Sequence, residues 1–170
     1  TFVFSDGSGV TGRIHGGGGD NTLDYSAYLA GVDVDLGAGI ATGAGSVANI
    51  ANVIGGAGDD ILAGDASANM LVALAGNDRL VGRGGADSIE GGAGDDTLAE
   101  TRDADFSLID GGLTIGSEGT DSLVDIEQVD LTGGAGDNTM DVSGFTGKAN
   151  LAGEEGDDTF VAGLGDITYA

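Results

Sequence analysis

The sequence predicts an all-β fold assembled from repeated turn–strand units, and three observations support this prediction. The chain of 170 residues contains 36 glycines, and so high a glycine content disfavours helices. Between Gly55 and Ala99 it divides without a gap into five segments of nine residues. Within these segments glycines cluster towards the start, and a large apolar residue recurs near the end. We therefore predict a single domain covering residues 1–170, with a regular core at 55–99.

The five nonapeptides share a positional pattern. Their sequences are GGAGDDILA (55–63), GDASANMLV (64–72), ALAGNDRLV (73–81), GRGGADSIE (82–90) and GGAGDDTLA (91–99). Position eight is always Leu or Ile, position six is Asp or Asn, and position seven follows no rule. Alternate residues of a strand point to opposite faces, so positions six and eight share a face and position seven points away. Each nonapeptide is predicted to form a tight glycine turn and then a short strand.

The repeat also carries a family resemblance. Gly55, Gly56, Gly58, Asp60 and Leu62 match the motif G-G-x-G-x-D-x-U-x, and the fifth nonapeptide matches it equally. In this the chain resembles the RTX (hemolysin-type) calcium-binding proteins. The resemblance implies a right-handed parallel β-roll, a β-solenoid in which two nonapeptides form one coil. Turns two nonapeptides apart then stack, with turns 55, 73 and 91 on one edge (the Asp78 edge) and turns 64 and 82 on the other (the Asp87 edge).

The remaining sequence is predicted to continue the solenoid less regularly. Isolated copies of the repeat occur at 16–24, 133–141 and 153–161. The segments 24–54 and 100–132 break the nine-residue step, and we expect wider, irregular coils with projecting loops there. VDVDL (32–36) alternates apolar and acidic residues, which predicts a strand.

The start of the sequence indicates a larger repetitive protein. Thr1 opens within a motif, and Thr1-Phe2-Val3 recurs as Thr159-Phe160-Val161. We therefore expect this chain to be a fragment of a longer protein that contains tandem copies of the unit.

The acidic side chains require a source of positive charge. The formal net charge is −24, with 29 Asp and Glu against five Lys and Arg. Stacked turns would bring position-six carboxylates and turn carbonyl oxygens together, and these are the ligands that Ca²⁺ takes. Zinc favours Cys or His ligands, but the chain has no Cys and only one His. Mg²⁺ usually keeps several waters and takes fewer protein ligands than Ca²⁺. The sequence therefore predicts several bound calcium ions.

We predict that the calcium ligands come from position six and from the turn glycines. The expected pairs, strongest first, are Asp78 with Asp60 and with Asp96, then Asn69 with Asp87, and Asn138 with Asp158. The pairs with an Asn are expected to be weaker, because an amide oxygen carries no full charge. The full predicted ligand set is Gly56, Gly58, Asp60, Asn69, Gly76, Asp78, Gly85, Asp87, Gly92, Gly94, Asp96, Asn138 and Asp158.

Several positions depart from the motif. Turn 64 lacks glycine at positions two and four, turn 73 keeps only Gly76, and turn 82 has Arg83 at position two. We expect lower affinity or altered geometry there. Asp59 and Asp95, at position five, are expected to point outward into solvent. Asp105 falls at position six of the segment after the core, but no glycine supports its turn, so we expect no ion there. A single Gly-Asp turn could also be an ordinary solvated turn; the register of several favours calcium.

The sequence favours a non-catalytic role. His15 is the only histidine, and no nucleophile elbow surrounds it. The five basic residues are too scattered to promise a groove for an acidic polysaccharide. Strong acidity argues against nucleic acid and anionic membranes as partners, and no apolar run is long enough to predict membrane insertion.

We therefore expect an extracellular, calcium-stabilised structural module of a secreted or bacterial surface protein, serving as a spacer, adhesin segment or filament unit. The chain would fold on binding calcium after export, and the resemblance implies a type I secretion route. Expected partners are calcium and neighbouring copies. Two alternatives stay open: a secretion or stabilising module attached to a secreted enzyme, and a solenoid whose loops bind glycans or a host surface.

Overall fold

A computed structural model describes residues 1–169, and every regular element within them is a β-strand. Across this range no helix is long and apolar enough to cross a membrane. Through the regular core, successive strands alternate between two sheets, and the buried residues of both sheets form one apolar cluster. The predicted all-β solenoid is thus confirmed.

The first sheet contains ten strands of the described chain. In spatial order they are β1 (Phe2–Val3), β3 (Thr22–Asp24), β7 (Asn52–Ile54), β9 (Met70–Ala75), β11 (Ser88–Ala93), β15 (Thr120–Val124), β14 (Gly112–Ile115), β13 (Phe106–Ile109), β17 (Thr139–Gly144) and β19 (Thr159–Val161). Its strands pair in parallel except where β14 meets β13 and β15.

The second sheet contains eight strands. In spatial order they are β20 (Asp166–Tyr169), β18 (Lys148–Ala152), β16 (Gln128–Thr132), β12 (Thr97–Thr101), β10 (Arg79–Val81), β8 (Ile61–Ala63), β4 (Asp33–Asp35) and β5 (Ile40–Ala41). A separate parallel pair joins β2 (Arg13–His15) to β6 (Ser46–Ala48).

Strand register follows the nonapeptide pattern. Leu80 pairs with both Leu62 and Leu98, and Ile89 pairs with Leu71, so paired residues lie two nonapeptides apart. All five of these position-eight side chains are at most 1% exposed. Each ladder of stacked apolar side chains therefore runs along the solenoid and removes its apolar surface from water. The strand predicted within 32–36 is β4, which pairs with β8.

The segment 100–132 is more regular than we predicted. Instead of an irregular coil, β13, β14 and β15 form an antiparallel meander inserted between β11 and β17. At this level the second sheet has only β16, which bridges β12 and β18 in parallel. A two-residue turn, Asp110-Gly111, joins β13 to β14, and Asp-Gly is a strong hairpin signal. The hairpin turn, and not the nine-residue repeat, therefore determines how β13 and β14 pair.

The segment 24–54 contains a hairpin of β4 and β5 and packs around aromatic residues. The ring of Tyr25 is fully buried and stacks on Phe4 with 4.5 Å between centroids. Its hydroxyl donates a hydrogen bond of 2.8 Å to the carbonyl of Thr42. These contacts close the core beside the first regular turn.

Candidate calcium-binding site

Glycine at position four allows the turns to stack closely. On the Asp78 edge this position holds Gly58, Gly76 and Gly94, and a Cβ on Gly94 would overlap the carbonyl oxygen of Gly76. The φ angles of Gly76 and Gly94 are +134° and +148°, a conformation that disfavours a side chain. On the Asp87 edge Gly85 has φ +116°, and a Cβ there would lie 2.7 Å from the carbonyl carbon of Ser67 in the turn below. The predicted glycine ligands thus hold successive turns in contact.

On the Asp78 edge the position-six residues form a ladder of backbone-to-carboxylate hydrogen bonds. The N–H of Asp60 donates to Oδ1 of Asp78 at 2.7 Å, and the N–H of Asp78 donates to Oδ1 of Asp96 at 2.8 Å. The ladder continues at both ends. The N–H of Val32 donates to Oδ1 of Asp60 at 2.8 Å, and the N–H of Asp96 donates to Oε2 of Glu127 at 2.9 Å. Asp60, Asp78 and Asp96 are all at most 2% exposed.

The Asp87 edge carries a second ladder of the same kind. The N–H of Asn69 donates to Oδ1 of Asp87 at 2.8 Å, and the N–H of Asp87 donates to Oδ1 of Asp121 at 2.9 Å. The amide of Asn69 donates to the carbonyl of Ala51 at 3.1 Å. Asp105 is exposed and accepts from the N–H of Thr139 instead, so it does not extend this ladder.

Asp121 and Glu127 are ladder residues that the sequence reasoning missed. Each begins an acidic–polar–apolar triplet, DSL (121–123) or EQV (127–129), like the tail of a nonapeptide. Ser88 pairs with Ser122, and Thr97 pairs with Gln128, which places the triplets in register with the core. Asp121 also lies at position six of GSEGTDSLV (116–124), in which Gly116 and Gly119 hold positions one and four, so this copy of the repeat could have been recognised. No glycine turn precedes Glu127, for which the triplet is the available signal.

The turns are of two kinds, which differ at position two. In turns 55, 64 and 133 the position-two N–H donates to the position-six side chain of the same turn; the pairs are Gly56 to Asp60 (2.7 Å), Asp65 to Asn69 (2.7 Å) and Gly134 to Asn138 (2.9 Å). In turns 73, 82 and 91 position two is left-handed, with φ +83° at Leu74, +68° at Arg83 and +105° at Gly92. We call the first kind closed turns and the second kind open turns.

The open turns leave buried carboxylate oxygens without a hydrogen bond. Oδ2 of Asp78, Asp87 and Asp96 has no partner among the described residues, and each of these side chains is buried. A buried polar atom without a partner costs about 1–3 kcal/mol, and more when it is charged. Oxygens of this type, beside turn carbonyls, fit the ligand preference of Ca²⁺. The residues present therefore suit calcium.

Burial also shifts the ionisation of these groups. Desolvation raises the pKa of Asp96 to about 6 and that of Asp87 to about 7. It raises the pKa of Asp60, Asp78 and Asp121 as well. Neighbouring carboxylates push in the same direction, since like charges disfavour ionisation. A cation would oppose both effects.

Position five forms an exposed ladder of the opposite direction. Asp59 and Asp95 are exposed, as the alternation predicts. The N–H of Asn77 donates to Oδ1 of Asp59 at 2.8 Å, and the N–H of Asp95 donates to Oδ1 of Asn77 at 2.9 Å. The position-five side chains therefore link consecutive turns by hydrogen bonds on the exposed face, and the position-six side chains link them on the buried face.

The pair Asn138 and Asp158 lies in the same ladder geometry near the end of the solenoid. The N–H of Asn138 donates to Oδ1 of Asp158 at 2.9 Å, although the two are 20 residues apart. Asp103 enters this site from the preceding irregular segment, and its Oδ1 accepts from the N–H of Gly136 at 3.0 Å. Asp158 is half-buried, so this pair is more open to solvent than those of the core.

Each predicted site offers only a few side-chain oxygens, so backbone carbonyl oxygens would have to supply further ligands. Within residues 1–169 no group of three or more His, Cys, Asp or Glu side chains is arranged to hold a metal ion on its own. An ion between two turns would therefore complete its shell with turn carbonyls and water, both of which Ca²⁺ accepts.

Comparison with known families agrees with this geometry. A model of the RTX calcium-binding nonapeptide repeat matches four segments, 7–27, 52–71, 64–98 and 143–166, which together cover more than half of the chain. The chain belongs to the RTX calcium-binding repeat family. The repeat is a non-catalytic structural repeat that binds calcium ions, and the chain is therefore a calcium-binding structural module. No curated protein matches the sequence.

Proposed function

We propose that this RTX chain is an extracellular structural unit that folds on binding calcium after secretion. The observation that carries the proposal is the stack of buried aspartates, in which Oδ2 of Asp78, Asp87 and Asp96 has no hydrogen-bond partner, in a chain of net charge −24. Without a cation these groups destabilise the stacked turns. With one, the free energy of binding becomes free energy of folding.

The difference between open and closed turns predicts the order of calcium affinity among the proposed sites. Between turns 73 and 91, both Asp78 and Asp96 offer a free oxygen, so we propose the strongest site there. Between turns 55 and 73, Asp60 is already bonded to Gly56 and would have to give up that bond. Asn69 with Asp87, and Asn138 with Asp158, each contain one side chain held by its own turn, and we propose weaker binding at both.

Coupling between folding and calcium would also place the folded state outside the cell. Extracellular calcium modules bind with dissociation constants of about 10⁻⁴–10⁻³ M, far above the calcium level of a cytosol. The chain would stay unfolded during export by a type I route and fold on arrival. Ion binding would then also reduce the self-repulsion of the acidic chain.

The proposed role is that of a spacer, adhesin segment or filament unit built from stacked copies. Thr1-Phe2-Val3 and Thr159-Phe160-Val161 have the same sequence, and β1 and β19 lie at opposite ends of the first sheet. Phe2 and Phe160 both pack partly against the core from these ends. The segment 159–161 of one copy therefore suits the place that 1–3 holds in the next, which would make the sheet continuous across copies.

Two other roles would use the same fold. As a module of a secreted enzyme, the chain would lie beside a catalytic domain, and the flanking sequence distinguishes this from a rod of tandem copies. As a glycan-binding or host-binding solenoid, it would use the groove of about 810 Å³ on the Asp87 edge, which Arg83 and Arg102 line. Both arginines already pair with carboxylates, Asp35 and Glu118, so we favour the structural role.

The proposal is tested by titrating the purified chain with calcium while following far-UV circular dichroism and the heat of unfolding. We expect a change from coil to β-structure at near-millimolar calcium, with little response to magnesium at the same concentration. A β-spectrum and unfolding temperature that ignore chelator would contradict the proposal.

A further inference from the structure

The Asp87 edge changes where the regular core meets the meander. Position one of the first two turns on this edge is Gly64 and then Gly82, and the next equivalent position is Glu100. The side chain of Glu100 is completely buried. Its Oε2 has no hydrogen-bond partner among the described residues, and Nη1 of Arg102 lies 3.7 Å away, beyond hydrogen-bonding distance. A buried carboxylate thus stands where the repeat has glycine.

Glu100 also changes the hydrogen bonds of the turn beneath it. In turn 64 the position-two N–H donates to the position-six side chain of its own turn. In turn 82 the N–H of Arg83 donates instead to Oε1 of Glu100 at 2.9 Å, and Oδ2 of Asp87 is left without a partner. A Cβ built on Gly82 would lie 2.6 Å from Oδ2 of Asp87 and 3.4 Å from Oε1 of Glu100. The two carboxylates therefore converge beside Gly82.

The local charge is poorly balanced by the protein itself. Asp87, Glu100 and Asp121 are all at most 3% exposed. Arg102 is shared between two carboxylates, since its Nη1 lies 3.7 Å from Oε2 of Glu100 and its Nε lies 3.2 Å from Oε2 of Glu118. The guanidinium of Arg83 is committed to Asp35, with two contacts of 2.7 Å. Burial raises the pKa of Glu100 to about 7, which reflects the cost of its charge there.

We propose that Asp87 and Glu100 together bind a calcium ion at this junction, a site outside the nonapeptide pattern. The inference rests on the proposed function, in which calcium is the counter-ion of the buried carboxylates. Two carboxylates with one free oxygen each are a suitable start for a calcium shell, which main-chain carbonyls and water can complete. Asp87 is bonded to Asp121 of β15, so binding at this junction orders the meander against the regular core.

The test compares the wild-type chain with Glu100→Gln and with a matched control, Glu90→Gln. Glu90 is exposed on β11, so its substitution removes the same charge from the surface. Native mass spectrometry counts the calcium ions per chain, and isothermal titration calorimetry gives their affinities. We expect E100Q to bind one ion fewer than the wild type, or to bind that ion at least tenfold more weakly, while E90Q matches the wild type.

A second measurement keeps the test informative if E100Q has an altered stability. Hydrogen exchange of the meander, 106–124, is followed with and without calcium. We expect calcium to slow exchange there in the wild type and in Arg102→Gln, but much less in E100Q. If R102Q loses this protection in saturating calcium, Arg102 is the counter-ion and the inference is wrong.

The failures of the inference and of the proposed function are distinguishable. If the wild type and E100Q bind the same number of ions with equal affinity, the junction site is wrong while the proposed function stands. If the wild type itself binds no calcium, both are wrong.

Discussion

The backbone N–H of Asp78 donates to Oδ1 of Asp96 at 2.8 Å, while Oδ2 of both side chains is buried without a partner. The hydrogen bond fixes one carboxylate above the other, and half of each carboxylate remains unsatisfied. A buried charged group with one oxygen left unsatisfied and no cation beside it carries a desolvation cost that the single hydrogen bond does not offset. The turn stack is therefore built in a form that a bound cation would stabilise.

Replacing Asp78 with Asn should have opposite effects with and without calcium. The amide keeps the shape and the oxygen that accepts from Asp60. It removes a buried charge, so the calcium-free chain should become more stable. It also removes a charged ligand, so calcium affinity should fall by at least about tenfold, which corresponds to ~1.4 kcal/mol. Far-UV circular dichroism in chelator measures the first effect as an increase in β-structure, and isothermal titration calorimetry with calcium measures the second.

The matched control for this substitution is Asp59→Asn. Asp59 also accepts a backbone N–H from a neighbouring turn, but from the exposed side. We expect its substitution to change calcium affinity little. Equal losses of affinity in the two variants would mean that general charge, and not the buried ladder, attracts the ion.

Acidification should stabilise the calcium-free chain. The folded-state pKa values of Asp96 and Asp87 are raised to about 6 and about 7, above the unfolded value near ~3.9. A folded state that holds protons more tightly gains stability as pH falls, and loses it as pH rises through those values. The β-signal of the chain in chelator, followed by far-UV circular dichroism, should therefore be larger at pH 5 than at pH 8.

The pH effect must be separated from the repulsion between surface charges. Salt at about 1 M screens exposed charges over distances beyond ~3 Å but affects buried groups much less. We expect most of the pH dependence to persist in salt and to weaken in the double variant Asp87→Asn, Asp96→Asn. A β-signal in chelator that is the same at pH 5 and at pH 8 would contradict this prediction.

Leu74 occupies a turn position better suited to glycine. Its φ is +83°, which costs a non-glycine residue about 1–2 kcal/mol, and its side chain is 37% exposed. Leu74→Gly should therefore raise the stability of the calcium-bound chain by about 1 kcal/mol. Chemical denaturation in saturating calcium measures this, with Leu29→Gly as control because Leu29 is exposed and outside the left-handed region. A loss of stability in L74G equal to that of L29G would contradict the assigned strain.

Gly94 should tolerate no side chain. A Cβ there would overlap Gly76, and φ is +148°. Gly94→Ala should cost about 1–3 kcal/mol from backbone strain alone and should weaken calcium binding at the Asp78–Asp96 pair. Gly84→Ala is the matched control, because a Cβ on Gly84 would meet nothing closer than 3.7 Å. Calcium titration of both variants tests this, and an affinity of G94A equal to that of G84A would contradict it.

The sequence predicted the regular part of the fold because its repeat encodes register directly. Leu62, Leu80 and Leu98 recur at one interval, and the strands pair at that interval. The meander at 106–124 was not predicted, since its pairing depends on the Asp110-Gly111 hairpin turn and not on the repeat. A search for hairpin turns in the irregular segments would have indicated it.

The positions of the candidate ligand side chains were easier to predict than the hydrogen bonds that each one makes. Position six identified the buried ladder, but the bond from Gly56 to Asp60 and the free oxygens of Asp78 and Asp96 depend on turn conformation. The sequence motif does not determine whether a turn is open or closed, since Gly56 and Gly92 are both glycines in the same motif. Glu100 was missed because it replaces a glycine outside the motif.

Calcium binding by the buried ladder is best tested with a crystal structure of the chain grown in calcium, in which anomalous diffraction locates the ions. We predict an anomalous peak between turns 73 and 91 that contacts Oδ2 of both Asp78 and Asp96. Only water at this position, or calcium peaks on exposed carboxylates such as Asp59 and Asp95, would contradict calcium binding by the buried ladder.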